Sequence, residues 1–158
     1  MAAPSDVDSA RVEMDVNYFG LLRLAREFGP VMRARGSGGE TGAVAWVNLL
    51  SVYALSSLPS QGTFSASKAA AFSLAQSQRA EMAASGIRVV NVFPGPIDTD
   101  GNQALPQPRL SADALAHELV KALQDGIEDV YPGDVAQDWF ARWRDNPKAL
   151  ERELAAGR

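Results

Sequence analysis

The chain of 158 residues predicts an α/β domain with a parallel sheet of about three strands flanked by helices. Three observations carry that expectation. Residues 43–50 are an almost unbroken apolar run, the pattern of a parallel strand covered on both faces, and 87–93 read as a second buried strand. Stretches with apolar or small residues at helical spacing lie before, between and after them. The order helix, strand, helix, strand, helix, strand calls for right-handed crossovers rather than hairpins.

The elements follow in order. Ser5, with Asp8 three positions on, forms a capping box that opens a long helix to about Ala34, with Pro30 expected to kink it near its end. Val12, Val16, Phe19 and Phe28 recur at roughly helical spacing and apolar residues also populate the other flank, so this helix is expected to bury two sides. Glycines from Gly36 to Gly42 make a loop before the strand at 43–50. A helix over 63–85 carries Ala66, Ala69, Ala70, Ala71 and Ala75, small side chains that let another helix approach closely, and Gly86 suits the left-handed position that ends it. The second strand is 87–93. Residues 101–109 have turn composition, 111–124 form a helix stopped near Gly126, and 129–131 form a short third strand. Two helices divided at Asn146-Pro147 complete the tail, with Trp139, Phe140 and Trp143 on one of them expected to pack against the sheet or a neighbouring subunit.

Composition narrows the function. Hydrophobic residues make up 46%, ample for one core, and charged residues 22%, so neither disorder nor a membrane span is indicated. Net charge is −4 with no Lys/Arg cluster, which makes nucleic acid and anionic membrane poor partners. The chain has no cysteine, and its single histidine, His117, has no matched carboxylate spacing, so no metal centre is expected. The first residues lack the basic and apolar regions of a signal peptide, and a cytoplasmic location is the expectation.

The chemistry is concentrated in Val47 to Lys68. An apolar strand ends at Ser51, and an alanine-rich helix then carries Phe64, thirteen positions on, and Lys68, four further. Residues four apart share a helix face. A phenol at position 64 would feel the Lys68 ammonium and lose its proton more readily, as a general acid/base must. Phenylalanine has no such group. Ser51 and the loop from Pro94 to Thr99 fall at the C-terminal ends of two strands, where sites in such sheets gather.

This segment resembles the catalytic segment of the short-chain dehydrogenases/reductases, and the resemblance runs from about Asp15 to Tyr131. It implies that Ser51 polarises a substrate carbonyl, that Phe64 occupies the place of the catalytic tyrosine, and that Lys68 is the partner lysine. It also implies that Asn17 is the helical asparagine that holds a water leading to that lysine. Asn91 to Thr99 resembles the segment over the nicotinamide of NAD(P), in which Pro94 and Gly95 make the turn, Ile97 backs the ring, and Thr99 reaches the carboxamide or phosphate.

Part of the family pattern is absent. Gly36-Ser37-Gly38-Gly39 follows a helix and precedes a strand, the reverse of the order that sets a pyrophosphate on a helix N-terminus. Residues 1–158 are therefore expected to be a single truncated domain, a partial Rossmann-like, doubly wound sheet without its nucleotide-binding first half. The expected function is a reductase-like pseudoenzyme or incomplete reductase that binds NAD(P) weakly or not at all. The alternatives are an active ketone or secondary-alcohol oxidoreductase working through water, Tyr53 or a partner chain, and an oligomerisation module. A homo-oligomer through helices 5–34 and 63–85, or pairing with a full-length relative, is expected from the family's interface and from the unprotected strand at 43–50.

Overall fold

The computed structural model describes residues 7–36, 45–102 and 108–157. The Ser5 capping box, the glycine loop and part of 101–109 lie outside them. The chain opens on α1 (Val7–Met14), a π turn at Asp15–Phe19, and α2 (Gly20–Gly36), with Pro30 inside α2. In the π turn the Gly20 N–H donates to the Asp15 carbonyl, five residues back, a widened turn that recurs at functional sites. Only one flank of this rod is covered. Leu21 and Met32 pack inward, whereas Val12, Val16, Phe19, Leu24 and Phe28 are exposed. The expected burial of two sides is corrected here: among the described residues nothing lies against the outer flank.

The main sheet has three parallel strands in the order β1 (Ala45–Leu49), β2 (Arg88–Val92) and β5 (Asp129–Val130). β1 pairs with β2 in a register running from Ala45 opposite Arg88 to Leu49 opposite Val92, and β2 pairs with β5 through Asn91 opposite Asp129. Between β1 and β2 runs α3 (Gly62–Ala83), whose Ala71, Ala75 and Met82 are buried. Past the end of α3, Gly86 sits at φ +70°, a conformation that costs a side-chain-bearing residue about 1 kcal/mol.

A second strand pair, β3 (Ile97–Asp98) with β4 (Leu110–Ser111), brackets the loop after β2 and was not legible as strand. Ser111 then caps α4 (Ala112–Asp125) by accepting from the Ala114 N–H at 3.1 Å. Leu115, Leu119, Ala122 and Leu123 of α4 cover Val90, Val92 and Val130. Val47 and Leu49 share that sheet face by register with Val90 and Val92, yet they are 39% and 54% exposed. β1 is thus covered on the α3 face only, a correction to the two-sided burial expected of it. α4 lies over the β2 and β5 side and does not reach the edge strand.

Beneath α3 the sheet carries a polar ladder. Asn48, Asn91 and Asp129 lie side by side. Asn48 Nδ2 donates to Asn91 Oδ1 at 3.0 Å and Asn91 Nδ2 to Asp129 Oδ1 at 3.3 Å, while Trp46 Nε1 donates to Asn48 Oδ1 at 2.7 Å. α5 (Gly133–Asp145) and α6 (Pro147–Ala155) close the other end of the core with Ala136, Trp139 and Leu150. Asn146 caps α6 at the Ala149 N–H, and an Arg142–Glu153 ion pair ties the two helices together. The rings of Phe93, Tyr131, Phe140 and Trp143 stack in sequence from the core outward, with Tyr131 and Phe140 centroids 3.8 Å apart. The expected packing of the tail aromatics against the sheet is what the structure shows. No described helix is long and apolar enough to cross a membrane.

Candidate functional site

A cleft of about 660 Å³ opens at the C-terminal ends of β1 and β2. Four elements build it: the strand end at Leu49 to Ser51, the start of α3 with Phe64 and Lys68, the turn from Pro94 to Ile97, and α1 through Glu13. The sheet dictates its position, since parallel strands release their chains on one edge and both loops there must turn toward the same side.

Ser51 is buried at the mouth of β1. Its Oγ accepts from the Tyr53 N–H at 3.2 Å, the cap of a short turn at Val52–Ala54. The hydroxyl comes no closer than 3.5 Å to the Pro94 carbonyl, a length at the limit of a hydrogen bond, so its proton remains available to a ligand. Lys68 Nζ donates to the Leu49 carbonyl at 3.0 Å and stands 5.7 Å from the centre of the Phe64 ring. No carboxylate among the described residues pairs with it. Loss of solvent contact lowers the Lys68 pKa from its ordinary value, because the charged form forfeits hydration.

Phe64 lies where the resemblance demands a phenol, edge-on to Tyr53 with ring centres 6.4 Å apart. Tyr53 lines the cleft as well, and burial raises its pKa, which makes it a weaker acid than an ordinary tyrosine. Asn17 sits behind the cleft wall. At the middle of the π turn, its Nδ2 donates to Ser67 Oγ at 2.9 Å, and Ser67 in turn donates to the Phe64 carbonyl at 2.7 Å.

Pro94, Gly95 and Ile97 all line the cleft. Gly95 has a packing reason to be glycine: a Cβ there would come within 2.8 Å of Val135 Cγ1 on α5. Thr99 is exposed and its side chain is not part of the lining. Its carbonyl accepts from the Asn102 N–H at 2.9 Å, and the Asn102 side chain donates to the Ile97 carbonyl at 3.0 Å and borders the cleft. His117 is exposed on α4 with Nδ1 2.8 Å from the Asp113 carbonyl, a surface role. The described residues contain no metal-binding cluster.

Asn102 and Glu13 are among the lining residues that the sequence reading does not single out. Glu13 precedes Asn17 by four positions, a spacing that could have marked it as facing α3 with Asn17.

A parallel, helix-covered sheet with a serine and a lysine in a crevice at its strand ends defines a Rossmann-like domain. The short chain dehydrogenase family profile matches residues 2–110. The chain belongs to that family. A short chain dehydrogenase from Burkholderia cenocepacia J2315, solved in complex with NADP, matches with a TM-score of 0.86 at 37% identity, over 95% of this chain and 60% of that one. Another, from Streptomyces avermitilis, matches with a TM-score of 0.76 at 25% identity, over 96% of this chain and 63% of that one. The probable oxidoreductase EphD of Mycobacterium tuberculosis is 35% identical over 85 residues, 54% of this chain and 14% of EphD. The chain therefore spans about three fifths of these solved relatives and a small part of EphD.

The residues present suit one end of a nicotinamide cofactor. Lys68 offers a donor and Ile97 an apolar face in the cleft, but no glycine-rich strand-to-helix turn occurs among them to cradle a pyrophosphate.

Proposed function

We propose that this chain is a reductase-type domain that keeps the carbonyl-binding side of the cleft but lacks its proton donor, a pseudoenzyme or incomplete catalytic half that is silent as an isolated polypeptide. The observation that carries the reading is the Phe64 ring beneath Lys68 Nζ at 5.7 Å. Reducing a ketone leaves an alkoxide that must gain a proton, and oxidising an alcohol requires its removal. A benzyl ring does neither. Ser51 still has a hydroxyl proton to place on a carbonyl oxygen, and Lys68 still has a cation to stabilise charge developing there. Tyr53 is a poor substitute, since burial moves its acidity away from working pH.

A nicotinamide cofactor, which a solved relative carries as NADP, would meet Lys68 and Ile97 here, with Thr99 at the far end of the turn. Its pyrophosphate would lack the charge-assisted contacts that supply most of the affinity. Binding by the isolated chain is accordingly weak or absent. The exposed apolar flank of α1 and α2 and the small exposed side chains Ala66, Ala69 and Ala80 on α3 support self-association through these helices, or pairing with a full-length relative, in the cytoplasm. Light scattering tests this, and a strictly monomeric chain would contradict it.

The decisive experiment combines NADPH fluorescence titration with carbonyl turnover by the purified chain. The expected result is neither tight binding nor turnover. Robust turnover without an added partner would overturn the reading. A large gain on Phe64→Tyr would locate the defect at the missing hydroxyl.

A further inference from the structure

Glu13 is the only carboxylate among the described residues that line the cleft. It comes from the last turn of α1, and its Oε2 is buried without a hydrogen-bond partner. A buried acceptor left unpaired is a cost to the fold, and a donor that enters the cleft and reaches it relieves that cost. Two donors share the same cleft. Lys68 places one N–H on the Leu49 carbonyl and has others to spend, and the Ser51 hydroxyl is nearly unspent at 3.5 Å from Pro94. No ion pair joins Glu13 to Lys68 to cancel the two charges internally.

These charges constrain what can enter. A cation attracted to Glu13 meets the Lys68 ammonium, and an anion attracted to Lys68 meets the Glu13 carboxylate. A neutral ligand with an acceptor at one position and a donor beside it satisfies both.

We propose that Glu13 is a specificity residue of this cleft, accepting a hydrogen bond from a ligand hydroxyl near the oxygen held by Ser51 and Lys68, so that the cleft prefers hydroxyketones or vicinal diols to plain ketones or alcohols. The proposal rests on the reading that Ser51 and Lys68 receive a carbonyl oxygen. It adds the second half of the ligand.

The test uses butanone and its hydroxylated counterpart acetoin, titrated into the isotope-labelled chain by NMR. Acetoin is expected to bind about tenfold more tightly, the worth of one hydrogen bond to a charged group. Glu13→Met is expected to remove that margin, bringing the ratio of the two affinities to about one. Equal affinity for the two probes, failure of both to bind, or a preference that survives Glu13→Met would overturn the proposal. Lys68→Met separates the two layers of the argument. If it weakens neither probe, the carbonyl reading fails while a Glu13-dependent preference for acetoin still stands. A melt without ligand gives a second readout. Glu13→Met should match or exceed the parent in Tm, and a fall of several degrees would assign Glu13 to the fold and sink its role in recognition.

Discussion

Asn17 Nδ2 donates to Ser67 Oγ at 2.9 Å, joining the π turn of the first helical rod to the helix that carries Phe64 and Lys68. The Ser67 hydroxyl in turn donates a hydrogen bond to the Phe64 carbonyl, so one hydroxyl links both helices. A double-mutant cycle with Asn17→Ala and Ser67→Ala should give a coupling of about 0.5–1.5 kcal/mol in urea unfolding. A coupling near zero would mean that water replaces the bond without loss.

Phe64→Tyr places a phenol on the ring beside Lys68 Nζ. The ammonium favours the phenolate, so the new group should titrate below the ordinary tyrosine value of about 10. Burial pushes Tyr53 up, and Tyr131 is pushed up to about 12 by burial and then by Asp129, so neither masks the new step. Near-ultraviolet absorbance across a pH series reads it. Adding Lys68→Met should move the step back up, and an unmoved step would show that the two groups do not interact.

Lys68 gives the chain a pH dependence of definite sign. Burial lowers its folded pKa below the unfolded value of about 10.4, so the unfolded chain holds this proton more firmly. Stability from this group therefore rises with pH between the folded and unfolded values, and is lost as pH falls through the folded one. Lys68→Met should gain most over the parent near neutrality, and the gain should shrink as pH climbs toward 10.4. Thermal melts of both proteins at matched pH values check this.

Gly95→Ala drives a methyl group to within 2.8 Å of Val135 Cγ1. Overpacking of this kind costs about 1–3 kcal/mol. Because α5 must shift to relieve it, Val135→Ala should restore most of the lost Tm. If the second change rescues nothing, the strain lies elsewhere in the turn.

Asn48→Leu removes the hub of the polar ladder, leaving Trp46 Nε1 and one side of Asn91 without their partners. Each buried group left unsatisfied costs about 1–3 kcal/mol. Chemical denaturation should show a loss larger than that for Val47→Ala, a residue on the open face of the same strand.

Much of the fold was legible because its signals are local. Ser111 and Asn146 cap their helices through their own side chains, Gly86 takes the left-handed backbone its position suggests, and the strand runs at 43–50 and 87–93 contain β1 and β2. The failures concern relations between elements. An apolar run states that Val47 and Leu49 can be buried, but whether a helix reaches them depends on where α4 lands. The π turn is a shift in backbone pairing that no residue type announces. In the site, Ser51, Phe64, Lys68, Pro94, Gly95 and Ile97 were marked by the resemblance to the family's segments and converge on one cleft. Glu13 was missed, because only its four-residue spacing from Asn17 marks the direction it faces, and a single acid on a helix draws no notice by itself.

The ring stack from Phe93 through Tyr131 and Phe140 to Trp143 has an optical consequence. Chromophores locked at fixed mutual angles in a chiral surround generate near-ultraviolet circular dichroism, whereas helices report in the far ultraviolet whether or not they are docked. Detachment of α5 from the sheet would erase the first signal and spare the second, so the protein carries its own gauge of whether its last layer is seated.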